Sequence, residues 1–217
     1  AKQNNVDLKK LDGILLSHRH PDHAGDINTV IEAMCGDEGG EGTLITERKC
    51  VSGKTRVVDE YHERLPKDTY SVGPGEKYRL GELEIKTTES KHYSDTVGFV
   101  LDGSVRVGYT SDGPYFEGQE DYFKDTDYLI LNTMIPKDKK SEKHMTVEGA
   151  IKMINGAKPR RAILNHFGFS FMRAGFKQQK DYVEDRTGTE VLYSRDGMEI
   201  DLGGSGDGDK NIEDFTG

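Results

Sequence analysis

Residues 17–26, SHRHPDHAGD, place three imidazoles and a carboxylate, His18, His20, Asp22 and His23, within a few positions of one another. The apolar run 11–16 precedes them and an amphipathic stretch opening at Ile27 follows, so the cluster occupies a strand-to-helix turn. Crowded imidazoles repel one another when charged and pack poorly as core when neutral. A divalent cation removes both difficulties by accepting neutral ring nitrogens together with the carboxylate. The plainer alternative is a solvated polar loop, which gives no reason for H-x-H-x-D-H spacing. Water activation at a metal is the chemistry this pattern would serve.

HRHPDH resembles the signature of the metallo-β-lactamase superfamily, and the remainder of that family's pattern follows in order. SKHYSDTVGF supplies His92, GYTSDG supplies Asp112 and ILNHFG supplies His166. Each falls at the end of a strand-like run, where a rigid scaffold can bring ligands together. Singly they are weak, since an Asp in S-D-G is commonly a turn residue; their order is what carries the assignment. The resemblance implies an α/β fold, an αββα four-layer sandwich. It also implies a two-metal centre: His18, His20 and His92 would hold one ion, Asp22, His23 and His166 the other, and Asp112 would bridge. Two such ions, ~3.5–4 Å apart, share a water and lower its pKa, giving a hydroxide nucleophile without a serine or cysteine. The nitrogen-rich set suits Zn²⁺ and permits Mn²⁺, Fe²⁺ or Ni²⁺. The diiron, oxygen-reducing members of the superfamily carry Glu where this chain has His20, which disfavours electron transfer to oxygen.

His144 opens HMTVEGAIKMI, two residues before Thr146, a residue suited to cap a helix. The phosphodiesterase branch of the superfamily, ribonuclease Z included, has a similar His-x-Thr before a helix, and there the His assists the leaving group. Asp22 and His144 are accordingly the expected catalytic residues, His144 as general acid or as a stabiliser of phosphoryl oxygens. The alternative for His144 is a helix-start histidine bonded to a carboxylate. Lys137, Lys139, Lys140 and Lys143 would attract an anionic substrate, or simply be solvated. Tyr115 and Phe116 would line a pocket, or pack. His62, in a polar helical stretch, reads as a surface residue.

Positioning such ligands requires sheets. β-type runs occur at 14–17, 43–46, 83–88, 97–101, 105–110, 128–131, 162–164, 191–194 and 198–202. Amphipathic helices are predicted around Ile27, Val30, Ile31 and Met34, and around Val147, Ala150, Ile151 and Ile154. A third is expected from about Lys177 to Arg186, ending near Gly188. The expected organisation is one domain over 1–202 and a Gly- and Asp-rich tail over 203–217. Superfamily members open with a β-hairpin before the HxHxDH strand, whereas ten residues precede Leu11 here. That hairpin is expected to be absent, or replaced by the C-terminal segment through circular permutation.

With 217 residues, a formal charge of −9 and 32% charged residues against 33% hydrophobic, the composition excludes a membrane span and argues against a broad nucleic-acid-binding face. Two cysteines, Cys35 and Cys50, form no CxxC pair and suit a reducing cytoplasm. The expected activity is hydrolysis of a phosphodiester or related phosphorylated small molecule. A lactonase or thioesterase on the same metals, or a non-catalytic metal-bound scaffold, are the rivals. Oligomeric state stays open, a homo-oligomer included.

Overall fold

The computed structural model describes residues 6–36, 39–92 and 95–202. The 203–217 tail, and with it the reading in which that segment replaces an opening hairpin, lies outside the described residues. Among the described residues ten strands form two sheets. The smaller is wholly parallel, in the order β1 (Gly13–Leu16), β2 (Thr43–Glu47), β3 (Asp68–Val72). The larger runs in sequence order from β4 (Lys77–Leu80) through β5 (Leu83–Ser90), β6 (Thr96–Asp102), β7 (Arg106–Tyr109), β8 (Tyr128–Asn132) and β9 (Arg161–Asn165) to β10 (Glu190–Tyr193).

The larger sheet changes character at β7. Strands β4 to β7 pair antiparallel, the first pair closing around Gly81, whose φ of 59° a side-chain-bearing residue adopts with difficulty. Strands β7 to β10 pair parallel, which demands crossovers. The connection from β7 to β8 carries the short 3-10 helix Gln119–Phe123, and the later crossovers are α4 (Val147–Ala157) between β8 and β9, then α5 (Phe169–Ala174) and α6 (Phe176–Thr187) between β9 and β10. Gly188, left-handed at φ 65°, ends α6 near the expected place.

Strand alternation sorts the side chains into layers. Leu16 and Leu44 pack outward against Ile27, Ile31 and Met34 of α2 (Ile27–Cys35). Ile45 and Val72 turn inward to meet Ile85, Val97 and Phe99 of the larger sheet. On that sheet's far side Leu129, Leu131, Ala162 and Leu164 pack against Val147, Ala150, Met153 and Ile154 of α4, with Phe171 and Val183. The result is helix, sheet, sheet, helix, the expected four layers. Each fully buried side chain of this size contributes roughly 1.5–3 kcal/mol. At one end the sheets are joined through the main chain, Val97 N–H donating to Ser17 O at 3.1 Å.

Two strands were not expected and one expected strand is missing. β3 and β4 are edge strands with mostly polar, half-exposed faces, so they carry little hydrophobic alternation to read. Residues 198–202 form no strand; the chain turns at Gly197, φ 79°, and leaves the edge of β10 unpaired by them. No helix among the described residues is long and apolar enough to cross a membrane.

Candidate metal centre

The expected ligands leave the ends of strands from both sheets. β1 runs into Ser17 and His18, and His20 then stands at the N-cap of a single-turn helix, α1 (Pro21–Ala24). Pro21 presets the first helical φ, while His23 N and Ala24 N both donate to His20 O, at 2.9 and 2.8 Å. The turn thus offers Asp22 and His23 beside His18 and His20. His92 follows β5, Asp112 follows β7 and His166 follows β9. The backbone is left-handed at Ser111 and at His166, φ 58° at each. Such conformations cost of order 1 kcal/mol or more in non-glycine residues and concentrate where side chains must be aimed.

The side chains converge in two adjoining groups. In the first, His92 Nε2 lies 3.1 Å from His20 Nδ1, with the His18 ring centroid 4.8 Å from that of His20. His18, His20 and His92 each offer a nitrogen within 4.8 Å of the others. In the second, His166 Nε2 is 3.0 Å from His23 Nε2 and 3.1 Å from Asp22 Oδ2. Asp112 lies between the groups: its Oδ2 is 3.5 Å from His23 Nε2 and 3.8 Å from His92 Nε2, and its Oδ1 is 3.7 Å from His166 Nε2. All seven expected ligands are therefore brought together.

The donor set fits divalent cations. His18 Nε2 is buried with no hydrogen-bond partner, an arrangement that is costly unless something accepts its lone pair. Its other nitrogen, Nδ1, contacts Ser17 Oγ at 3.1 Å. His92 Nδ1 faces Lys143 O at 3.0 Å; a carbonyl only accepts, so Nδ1 carries the proton and Nε2 presents a lone pair to the cluster. Burial, reinforced by the neighbouring His23, pushes the His18 imidazole down to about 3. Burial likewise lowers His92. Burial would raise the Asp112 carboxyl, but the His23 hydrogen bond, the His166 charge and the Asn132 amide outweigh it and hold it below the usual range. Neutral imidazoles around an ionised carboxylate are the protonation states that bind a metal.

His144 also reaches the cluster. Its Nδ1 is 3.6 Å from Asp112 Oδ2, and its ring centroid is 5.0 Å from that of His92. With His92 and Asp112 it forms a third group able to hold a metal. Thr146 caps α4 as expected, accepting from Gly149 N at 3.0 Å. Tyr115 donates to Glu120 at 3.0 Å, and Lys91 Nζ lies over the Phe116 ring at 4.3 Å. His62 is half-buried, bonded to Asp59 at 2.8 Å on α3 (Glu60–Glu63). Cys35 and Cys50 are buried free thiols, both raised by burial, Cys50 to about 12.

Sequence reasoning missed the residues that grip Asp112. Asn132 Nδ2 donates to Asp112 Oδ1 at 2.8 Å, and the Ser90 hydroxyl donates to the Asp112 carbonyl. A signal was present: I-L-N ends both β8 and β9, placing Asn132 beside Asn165. Along β1, an open hollow of about 270 Å³ is lined by Ile14, Leu16, Pro21 and Ile27, with Asp22 and His23 in its wall.

Comparison with known proteins agrees with this geometry. Residues 1–167 match the model of the β-lactamase superfamily domain. The chain is 28% identical over 201 residues to an uncharacterized protein of Methanocaldococcus jannaschii, covering 89% of this chain and 75% of that protein. It is 27% identical over 169 residues to the probable metallo-hydrolase YhfI of Bacillus subtilis, covering 74% of this chain and 68% of that protein. The crystal structure of YhfI superposes with a TM-score of 0.71 at 20% identity, covering 88% of this chain and 78% of that one. Human tRNase Z, short form, gives 0.69 at 13% identity (93% and 83% covered), and a diphosphatase from the PhnP family 0.66 at 15% (92% and 73%). The chain belongs to the metallo-β-lactamase superfamily and is a metallo-hydrolase of that fold, with a His/Asp cluster able to bind metal.

Proposed function

We propose that the protein hydrolyses a phosphodiester or a related phosphorylated small molecule at a two-metal centre, with Zn²⁺ as the resident ion. The observation that carries this reading is His144, a half-buried imidazole 3.6 Å from Asp112, in addition to the seven ligands. Two structural neighbours, the diphosphatase and tRNase Z, are named for reactions at phosphate esters and anhydrides. His18, His20 and His92 would hold one ion, Asp22, His23 and His166 the other, with Asp112 between. Bound there, divalent ions lower the pKa of a water and offset charge on the attacked centre.

The chain's own residues then divide the remaining work. His18 and His92, lowered by burial, keep their lone pairs available. Asp22, with 59% of its side chain exposed at the edge of the cluster, would accept the proton released by the attacking water. His144 delivers a proton to the leaving oxygen. Burial lowers the His144 imidazole from its ordinary value; a docked phosphoryl anion supplies the counter-charge that raises it again, so the acid form accompanies the bound substrate. The net charge of −9 weighs against a large nucleic acid and leaves a small phosphorylated substrate compatible with the chain.

Elemental analysis combined with a panel of phosphodiester, diphosphate, lactone and thioester substrates tests the proposal. About two Zn²⁺ per chain and selective turnover of a phosphorylated substrate are expected. Turnover confined to lactones or thioesters would replace it with the carbon-ester reading, and a chain that binds metal yet turns over nothing would favour a scaffold.

A further inference from the structure

Leu131 and Leu164 point to the outer helices, so the next residues, Asn132 and Asn165, point the opposite way. They are register partners at the ends of β8 and β9, and Asn132 is 1% exposed. Their amides form one chain of hydrogen bonds. Asp112 Oδ1 can only accept, so Asn132 must present its NH₂ there, at 2.8 Å, and its second N–H goes to Tyr109 O–H at 3.0 Å. That orientation turns Asn132 Oδ1 toward Asn165, whose NH₂ donates to it at 3.2 Å. Asn165 Oδ1 in turn accepts from the Ser194 hydroxyl at 2.6 Å. The carboxylate thus dictates the direction of every amide back to the end of β10.

The consequence lies in which oxygen stays free. With Oδ1 held by Asn132, Asp112 Oδ2 is the oxygen that faces His23 at 3.5 Å and His92 at 3.8 Å, one member of each ligand group. We propose that Asn132, Asn165 and Ser194 form a positioning relay that fixes the rotation of the Asp112 carboxylate and thereby sets metal affinity at the Asp22/His23/His166 position. This rests on the metal-centre reading above. The selectivity is part of the proposal: His18, His20 and His92 form a trio of imidazoles without Asp112, which meets that side only through His92 and His144, whereas the Asp22/His23/His166 group includes Asp112 itself. None of the three relay residues touches the substrate in this scheme; each acts through its neighbour.

The test is Zn²⁺ titration of the purified full chain against a chromophoric chelator, with melting temperatures of the metal-free proteins measured alongside. Asn132→Ala should weaken one of the two sites by about 10–100-fold, the usual cost of losing such a supporting bond, with the other site unchanged. Asn165→Ala should weaken the same site less, and Ser194→Ala least. Wild-type affinities at both sites in Asn132→Ala and Asn165→Ala would overturn the relay. So would equal weakening of both sites in step with a lowered metal-free melting temperature, which is what a merely structural role predicts. Should Asn132→Ala fail to fold, Asn165→Ala decides alone: selective weakening supports the relay and unchanged binding overturns it. A wild-type chain that takes up no Zn²⁺ overturns the metal-centre reading itself, a result distinct from an unaffected variant.

Discussion

His92 Nδ1 donates to the carbonyl of Lys143 at 3.0 Å, so an expected metal ligand is tied to the residue immediately before the proposed general acid. The bond fixes the tautomer of His92 and holds the loop that carries His144 against the cluster. Ser141 secures the same loop, its Oγ accepting from Lys143 N at 3.2 Å and His144 N at 3.1 Å.

From that placement, His144→Ala should lower turnover of a phosphodiester with a poor leaving group by about 10²–10⁴-fold. A nitrophenyl phosphodiester, whose leaving group needs little protonation, should lose much less. Steady-state kinetics on the two substrates gives the contrast. Equal losses on both would assign His144 to charge stabilisation, and no loss on either would leave it a structural histidine.

Asp112→Ala removes a buried carboxylate that both ligand groups face, so metal stoichiometry per chain and turnover should fall together. Elemental analysis of the variant beside the wild type provides the check. Unchanged stoichiometry and turnover would remove Asp112 from the bridging role.

The metal-free protein should lose stability on acidification in two stages. His18 sits near 3 when folded against 6.5 when unfolded, so between those values the unfolded chain binds a proton that the folded one refuses. Stability therefore falls as pH drops below about 6.5, and the lowered His92 and His144 act in the same direction. The depressed Asp112 and Asp22 contribute stability above their ordinary 3.8, which is lost as pH falls through their folded values. Melting curves of chelator-treated protein from pH 8 to pH 4 should descend, and a flat profile would contradict the buried, neutral imidazoles.

Thr146→Ala should cost about 1 kcal/mol through loss of the α4 cap, within the usual range of ~0.5–2 kcal/mol. Denaturant unfolding measures it.

The clustering of the expected ligands was legible because they combine rare types with short spacing: His18, His20, Asp22 and His23 lie in one turn, and His92, Asp112 and His166 follow strands with apolar cores. The four-layer arrangement was legible through the family resemblance and through α2 and α4, whose apolar faces match their buried ones. β3 and β4 were hidden because edge strands with solvated faces, DTYSV and KYRL, look like loops. The opposite error arose at residues 198–202, where apolar alternation exists but the turn at Gly197 carries the chain away from pairing with β10. The grip of Asn132 on Asp112 depends on which strands are adjacent, and adjacency of β7, β8 and β9 is a property of the assembled sheet rather than of any segment.

The backbone bond between Ser17 and Val97 has a mechanical meaning. His18, His20, Asp22 and His23 ride on the small sheet, whereas Asp112 and His166 ride on the large one, so the cluster works as a caliper whose jaws are the two sheets. The gap it measures is set by Ile45, Val72, Ile85 and Phe99, none of them an expected ligand. Trimming one of those interior side chains would alter the spacing of the jaws, so a purely apolar substitution should register first as a change in metal retention, before the protein loosens enough to unfold.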